Sequence, residues 1–259
     1  MRIHANRRTV LAGAAAATAL AAAPSLGPAA AQAAGRNATG AARGPRIGIL
    51  LYDGYSLLDP TGPAEILSRL PDATVTMVAE RRGPVRTDTG DVAVLADRSF
   101  AEVDRLDVLV VPGAGNRGTI GAMENQALLD FVRRVHRHTR FTTSVCTGAL
   151  VLAAAGLLTA GQRATTYWAS AGYLESEFGV VYVPERWVRS GKVVTAAGVS
   201  AGLDMALHLA AQLAGDTVAQ GIQLAVEYDP RPPFDAGNAA QASPELKALA
   251  LRLIEESQV

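Results

Sequence analysis

The chain has 259 residues, 49% of them hydrophobic and 19% charged, a composition that supports a substantial core and argues against global disorder. Lys+Arg and Asp+Glu both number 24, so there is no basic excess for nucleic acid and no electrostatic signature of a charged partner. Cys146 is the single cysteine, which excludes an intrachain disulfide.

The N-terminus reads as a targeting segment. Asn6-Arg-Arg-Thr-Val-Leu11 places adjacent arginines before an apolar run from Val10 to Ala23, and Ala31-Gln-Ala33 offers the small residues a signal peptidase reads. The apolar run falls short of the roughly 20 residues of a membrane span and is followed by Pro24 and Pro28. Residues 1–33 are therefore expected to be a bacterial twin-arginine signal peptide, cleaved after Ala33, with export to the periplasm or beyond and no stable membrane anchor. Residues 34–44, rich in Gly, Ala and Arg, read as a flexible lead-in, and 45–259 as one domain.

Arg46–Tyr52 is a continuous apolar run ended by Asp53-Gly54, the pattern of a buried parallel strand. Thr61 is the expected N-cap of a helix through Leu70. Ala73–Ala79 is a second strand, and Thr87-Asp-Thr-Gly-Asp91 reads as a hairpin turn within Val85–Leu95. Leu106–Val111 is a third buried strand, leading to Pro112-Gly-Ala-Gly115. Met123–His138 has helical periodicity, with His136 and His138 as surface or capping groups at its C-terminus.

Phe141–Val145 reads as a strand running into a helix from Thr147, with Cys146 at the junction. That layout is a nucleophile elbow, and the helix dipole is expected to lower the thiol pKa. Beyond it come a helix from Ala169 to Phe178 and short strands at Val180–Val183, Trp187–Arg189 and Val193–Ala196, with a Ser190-Gly191 turn. Helices follow at Ser200–Leu213, Thr217–Tyr228 and Pro244–Glu256, with a non-helical Asp229–Asp235 segment between the last two. His208 reads as a satisfied core histidine.

Strands alternating with helices imply a mostly parallel sheet covered on both faces, with ligands at the carboxyl ends of its strands. Three loops leave those ends: Asp53–Asp59, Pro112–Arg117 and Cys146–Thr147. Cys146 is a candidate nucleophile, and Asp59, in an apolar stretch, a candidate proton shuttle. Backbone N–H groups of Gly113 and Ala114 are candidate donors to a developing negative charge, and the Thr147 hydroxyl is a further candidate. No histidine lies beside Cys146, no His/Cys cluster has metal-ligand spacing, and no Gly-x-Gly-x-x-Gly follows the first strand. No metal and no cofactor are expected.

Ser144-Val-Cys-Thr-Gly148, Leu58-Asp-Pro-Thr-Gly-Pro63, Ala164-Thr-Thr-Tyr-Trp168 and the Gln223–Phe234 segment together resemble the ThiJ/PfpI superfamily, and within it the isonitrile hydratase (isocyanide hydratase) group. The resemblance covers residues 46–234. It implies a flavodoxin-like three-layer α/β sandwich with a mostly parallel sheet, like class I glutamine amidotransferases, and a homodimer. It also implies cofactor-free hydration of an isonitrile to an N-substituted formamide. On the matching positions, Cys146 is the catalytic cysteine, Asp59 the proton shuttle and Thr147 a hydrogen-bonding neighbour of the reacting group. Gly113-Ala-Gly-Asn-Arg117 departs from the Pro-Gly-Gly common at this loop, and Tyr167 stands where a histidine is common. An export signal is also foreign to the resembling group. The alternatives are a non-catalytic ligand-sensing domain related to AraC-type regulators, which would need an appended helix-turn-helix domain, and a redox-responsive or other small-molecule hydrolase of the superfamily.

Overall fold

The computed structural model describes residues 44–259; the signal-peptide reading (1–33) and all but the last residue of the lead-in lie outside the described residues. A seven-stranded sheet runs through the domain in the order β10-β11-β7-β6-β1-β2-β5. Its strands are β1 (Arg46–Leu50), β2 (Thr74–Ala79), β5 (Arg98–Ser99), β6 (Val108–Val111), β7 (Phe141–Val145), β10 (Trp187–Ser190) and β11 (Val193–Ala196). All neighbours pair in parallel except β10 with β11. Two small sheets stand apart, an antiparallel pair β3 (Gly83–Arg86) and β4 (Ala93–Ala96), and a parallel pair β8 (Arg163–Ala164) and β9 (Val181–Tyr182).

Ile47–Leu50 of β1 and all of β6 and β7 are buried because both of their faces are covered, with Thr142, Thr143 and Ser144 among the buried residues of β7. Side chains alternate: Val108 and Val110 pack with α1 (Leu58–Leu67), α6 (Ala201–Ala214) and α7 (Asp216–Ala225), whereas Leu109 and Val111 pack with α3 (Gln126–His136), α4 (Gly148–Ala154) and α5 (Ala171–Phe178). The result is the expected three-layer flavodoxin-like sandwich. From β1 the order runs one way to β2 and the other way to β6, so the loops after β1 and β6 diverge across a topological switch point, where ligands bind in open α/β sheets.

Several local expectations shift. Helix α1 begins at Leu58, and Thr61 is not its cap: the Thr61 hydroxyl donates to the Leu57 carbonyl one turn back. Pro60 lies in the first turn, where an N–H has no helical acceptor, so the helix can start ahead of it. The helix expected over Met123–His138 begins instead at Gln126 as α3, and a separate helix, α2 (Asn116–Glu124), precedes it; the two are divided at Asn125, whose side chain accepts the Leu128 N–H. At the end of α3, His136 is not the capping cation. Its ring meets the Thr142 hydroxyl at 2.8 Å, and burial followed by the Lys192 charge lowers its pKa. Lys192 caps instead, donating to the carbonyls of His136 and Thr139. His208 stacks on Trp187 with ring centroids 3.9 Å apart, and its buried Nε2 has no partner. Helix α8 (Pro244–Glu256) forms where expected, capped by Ser243, and buries none of its residues. No described helix is long and apolar enough to cross a membrane.

Candidate active site

The three loops singled out in the sequence converge. Ser56 N–H donates to the Gly113 carbonyl at 2.9 Å, and Tyr55 forms an isolated bridge with Ala114. Gly113 N–H donates to Asp59 Oδ2 at 2.7 Å, and Ala114 N–H donates to Thr147 Oγ1 at 2.8 Å. Gly113 is therefore the hub. A Cβ there would stand 2.8 Å from Cys146 Cβ and 2.7 Å from Thr147 Oγ1, so only glycine lets the aspartate loop, the glycine loop and the elbow meet.

Cys146 occupies the elbow with φ +57, a left-handed conformation rare for a residue with a Cβ. The turn is held by its own N–H, which donates to the carbonyls of Ala197 (2.8 Å) and Ala196 (3.1 Å), and by its carbonyl, which accepts the Thr166 hydroxyl at 2.9 Å. Gly148 allows the first turn of α4 to press on the Pro112 carbonyl. The side chain is 5% exposed. Burial pushes the thiol well above its ordinary pKa, and the Asp59 carboxylate pushes it further; the N–H groups of Thr147 and Val199 pull the other way. The lowered pKa expected from the helix dipole is thus reversed, because enclosure outweighs the favourable N–H groups.

Asp59 is fully buried in the first turn of α1. Burial raises its pKa from 3.8 to about 7, against the pull of the Gly113 N–H, and the Asp88 charge adds to the rise. Oδ1 of Asp59 is buried and has no partner. A carboxyl that changes protonation near neutral pH, with one oxygen fixed and the other free, is equipped to pass a proton.

The remaining candidates are placed differently from the sequence reading. The N–H groups of Gly113 and Ala114 do not face an open crevice, since the loop curls inward and gives each an internal acceptor. The Thr147 hydroxyl also donates to the Ala114 carbonyl at 3.0 Å and meets the Thr119 hydroxyl at 2.8 Å, so it locks the glycine loop to the elbow. Among the described residues no cluster of three or more His, Cys, Asp or Glu side chains is placed to hold a metal ion.

The DJ-1/PfpI family model matches residues 45–212. The chain belongs to the DJ-1/PfpI family. It is 44% identical over 193 residues to an isonitrile hydratase of Pseudomonas putida, spanning 74% of this chain and 82% of that one. A ThiJ/PfpI family protein from Pseudomonas syringae has a solved structure that superposes with a TM-score of 0.76 at 34% identity, covering 91% of this chain and 93% of that one. An HTH-type transcriptional regulator of Pseudomonas aeruginosa is 31% identical over 147 residues, 56% of this chain but 40% of the regulator.

In this DJ-1/PfpI domain, several residues near the site carry no sequence signal of their own. Val199 contributes a main-chain N–H toward the sulfur, which no side-chain motif could announce. Tyr52 is buried, donates its hydroxyl to the Pro112 carbonyl at 2.8 Å, and is raised well above its ordinary pKa by burial, then by Asp59 and Cys146. Tyr167, half-buried, is raised by burial and then by the nearby Cys146. Asp88, at the β3–β4 turn, accepts the Ser56 hydroxyl at 2.8 Å and extends its charge to both Asp59 and Cys146.

Proposed function

We propose that the protein hydrates a small isonitrile to the N-substituted formamide, without a cofactor, using Cys146 as nucleophile and Asp59 as proton shuttle. The observation that carries this reading is the pairing around Gly113 of an elbow thiol with a buried carboxyl whose Oδ1 is free. The identity to the isonitrile hydratase supports the substrate class.

The ionised Asp59 carboxylate takes the thiol proton as Cys146 sulfur bonds to the terminal isonitrile carbon. The same proton then passes from Asp59 to that carbon, giving a thioimidate, R–N=CH–S–Cys146. Water adds to the carbon while a proton reaches nitrogen through Asp59. The C–S bond breaks, the thiol recovers its proton, and R–NH–CHO leaves; substrate plus one water equals product. Thr147 acts here as a positioning residue that holds the Ala114 loop against the elbow, and the N–H groups of Thr147 and Val199 stabilise sulfur as its charge grows. Gly113 positions Asp59 rather than binding the oxyanion directly. The homodimer and the twin-arginine export of the chain belong to the same proposal.

Turnover of a panel of small isonitriles, followed as formamide formation, tests it. Wild type is expected to turn over, Cys146→Ala to show none, and Asp59→Asn to lose about 10²–10⁴-fold, the range of a general acid–base group. Equal rates for wild type and Cys146→Ala would end the proposal. Oxidation of Cys146 by mild peroxide in a protein without isonitrile turnover would point to the redox alternative instead.

A further inference from the structure

Strand β10 is one edge of the seven-stranded sheet and pairs there with β11 alone. The register fixes which way its main chain faces. Ala197 N–H donates to the Arg186 carbonyl at 2.9 Å, and beyond that bond Trp187 lies opposite Ala196, Val188 opposite Thr195 and Arg189 opposite Val194. Antiparallel pairs alternate between hydrogen-bonded and open, so Arg186 and Val188 turn their main-chain groups toward β11, whereas Trp187 and Arg189 turn theirs away from the sheet. Among the described residues no main-chain carbonyl accepts the N–H of Trp187 or Arg189. The pairing is regular along Trp187–Ser190, with neither a bulge nor a proline to close the edge.

A cavity of about 550 Å³ borders this edge, lined by Arg163 of β8, by Glu185 and by the run Arg186–Arg189. Its charge is one-sided, three arginines against one carboxylate. Arg186 is already paired: its Nε donates to Asp204 Oδ2 at 2.5 Å, and the Tyr228 hydroxyl braces the same carboxylate at 2.8 Å. Arg163 and Arg189 take part in no ion pair among the described residues, and Arg189 is steadied by the Gly191 carbonyl at 2.8 Å. Trp187, half-buried and stacked on His208, stands on the same face of β10 as Arg189. An open strand edge takes a main-chain partner, an aromatic face an apolar side chain, and unpaired guanidinium groups take carboxylates. An extended peptide with acidic side chains supplies all three. A second copy of β10 would instead bring the same arginines together, and like charges oppose that pairing.

We propose that the edge of β10 is a docking strand for an extended acidic segment of another protein, which joins the sheet as a further strand beside Trp187 and Arg189. Main-chain hydrogen bonds to those two residues hold the segment, and Arg163 and Arg189 select its carboxylates. The probe is the peptide acetyl-Glu-Val-Glu-Val-Glu-amide, titrated into isotopically labelled full chain while the backbone amide resonances are followed. The amides of Trp187 and Arg189 are expected to shift and to exchange their hydrogens more slowly when the peptide is bound. The same peptide N-methylated at every residue keeps its charge but loses its donors, and is expected to bind at least about ten-fold more weakly. Replacing its glutamates by lysines is expected to abolish binding, added salt to weaken it, and Arg163→Glu to weaken it several-fold at an unchanged melting temperature. Equal binding of the N-methylated peptide, shifts centred away from β10, or indifference to the charge of peptide and protein would overturn the proposal. Shifts at Trp187 and Arg189 that follow protein concentration without any peptide would make a second copy the occupant and overturn it as well. The readout is binding at the sheet edge, so its failure is separate from failure of isonitrile turnover.

Discussion

An aspartate in water ionises near pH 4, whereas the enclosure of Asp59 holds its proton to about pH 7. Between those values the unfolded chain carries an ionised Asp59 and the folded chain a neutral one, so folding takes up a proton and stability falls as pH rises. The loss is complete above pH 7 and amounts to about 4 kcal/mol at most, from a shift of about three units at 1.36 kcal/mol each. Asp59→Asn removes it: against wild type, the variant is expected to be relatively more stable above pH 7 than at pH 4, measured by denaturant unfolding at both. A difference independent of pH would mean that Asp59 titrates normally. The same shift sets the rate profile. Below pH 7 both Asp59 and the thiol are protonated and no base is present; well above, both lose their protons and none is left to deliver. The kcat/KM for an isonitrile is therefore expected to rise through about pH 7, level off, and fall only at strongly alkaline pH, where the raised thiol finally ionises. A profile flat from pH 5 to 9 would remove Asp59 from the proton path.

At the scale of elements, the sequence made legible whatever rests on periodicity and turn chemistry. The runs Arg46–Tyr52, Leu106–Val111 and Phe141–Val145 became β1, β6 and β7, and the elbow at Cys146 formed where the strand pattern stopped. Helix α2 was hidden because Gly118 and Gly121 in Asn116–Glu124 mimic loop composition. The short strands β5 and β8, two residues each, carry too little pattern to be seen. The destination of the Gly113 and Ala114 N–H groups was hidden for a different reason: main-chain donors have no residue signature, and only the curl of the loop directs them to Asp59 and Thr147. Thr147→Val tests how much that fastening contributes. Valine keeps the shape but leaves the buried Ala114 N–H without its acceptor, which costs about 1–3 kcal/mol. The variant is expected to melt earlier and to lower kcat more than it raises KM, since the loop that aims Asp59 loosens. Unchanged stability would show that water replaces the hydroxyl at no cost.

For the whole molecule, the topology explains why one end of the sheet holds the chemistry. The reversal of strand order at β1 and β6 opens a crevice, and the loops after β1, β6 and β7 all empty into it. The rim of that end is apolar and uncovered: Leu57 is 38% exposed, Leu58 42% and Val199 37%. Leu58 directly precedes Asp59, and Val199 supplies an N–H toward the Cys146 sulfur, so whatever covers the rim also encloses the site. A second copy of the chain is the proposed cover, and burial of the rim leucines would stabilise the association by roughly 25 cal/mol per Å² of apolar surface removed from water. Leu57→Glu places a charge in that contact without touching the Asp59–Gly113 hydrogen bond. By light scattering, the wild-type full chain is expected at twice 26.8 kDa and the variant at the single-chain mass. The isonitrile turnover of the variant should fall with its dimer fraction and recover at high protein concentration, where mass action restores the pair. A wild type that stays single, or a monomeric variant with full turnover, would detach the rim from the site and leave the apolar residues around Asp59 without a partner.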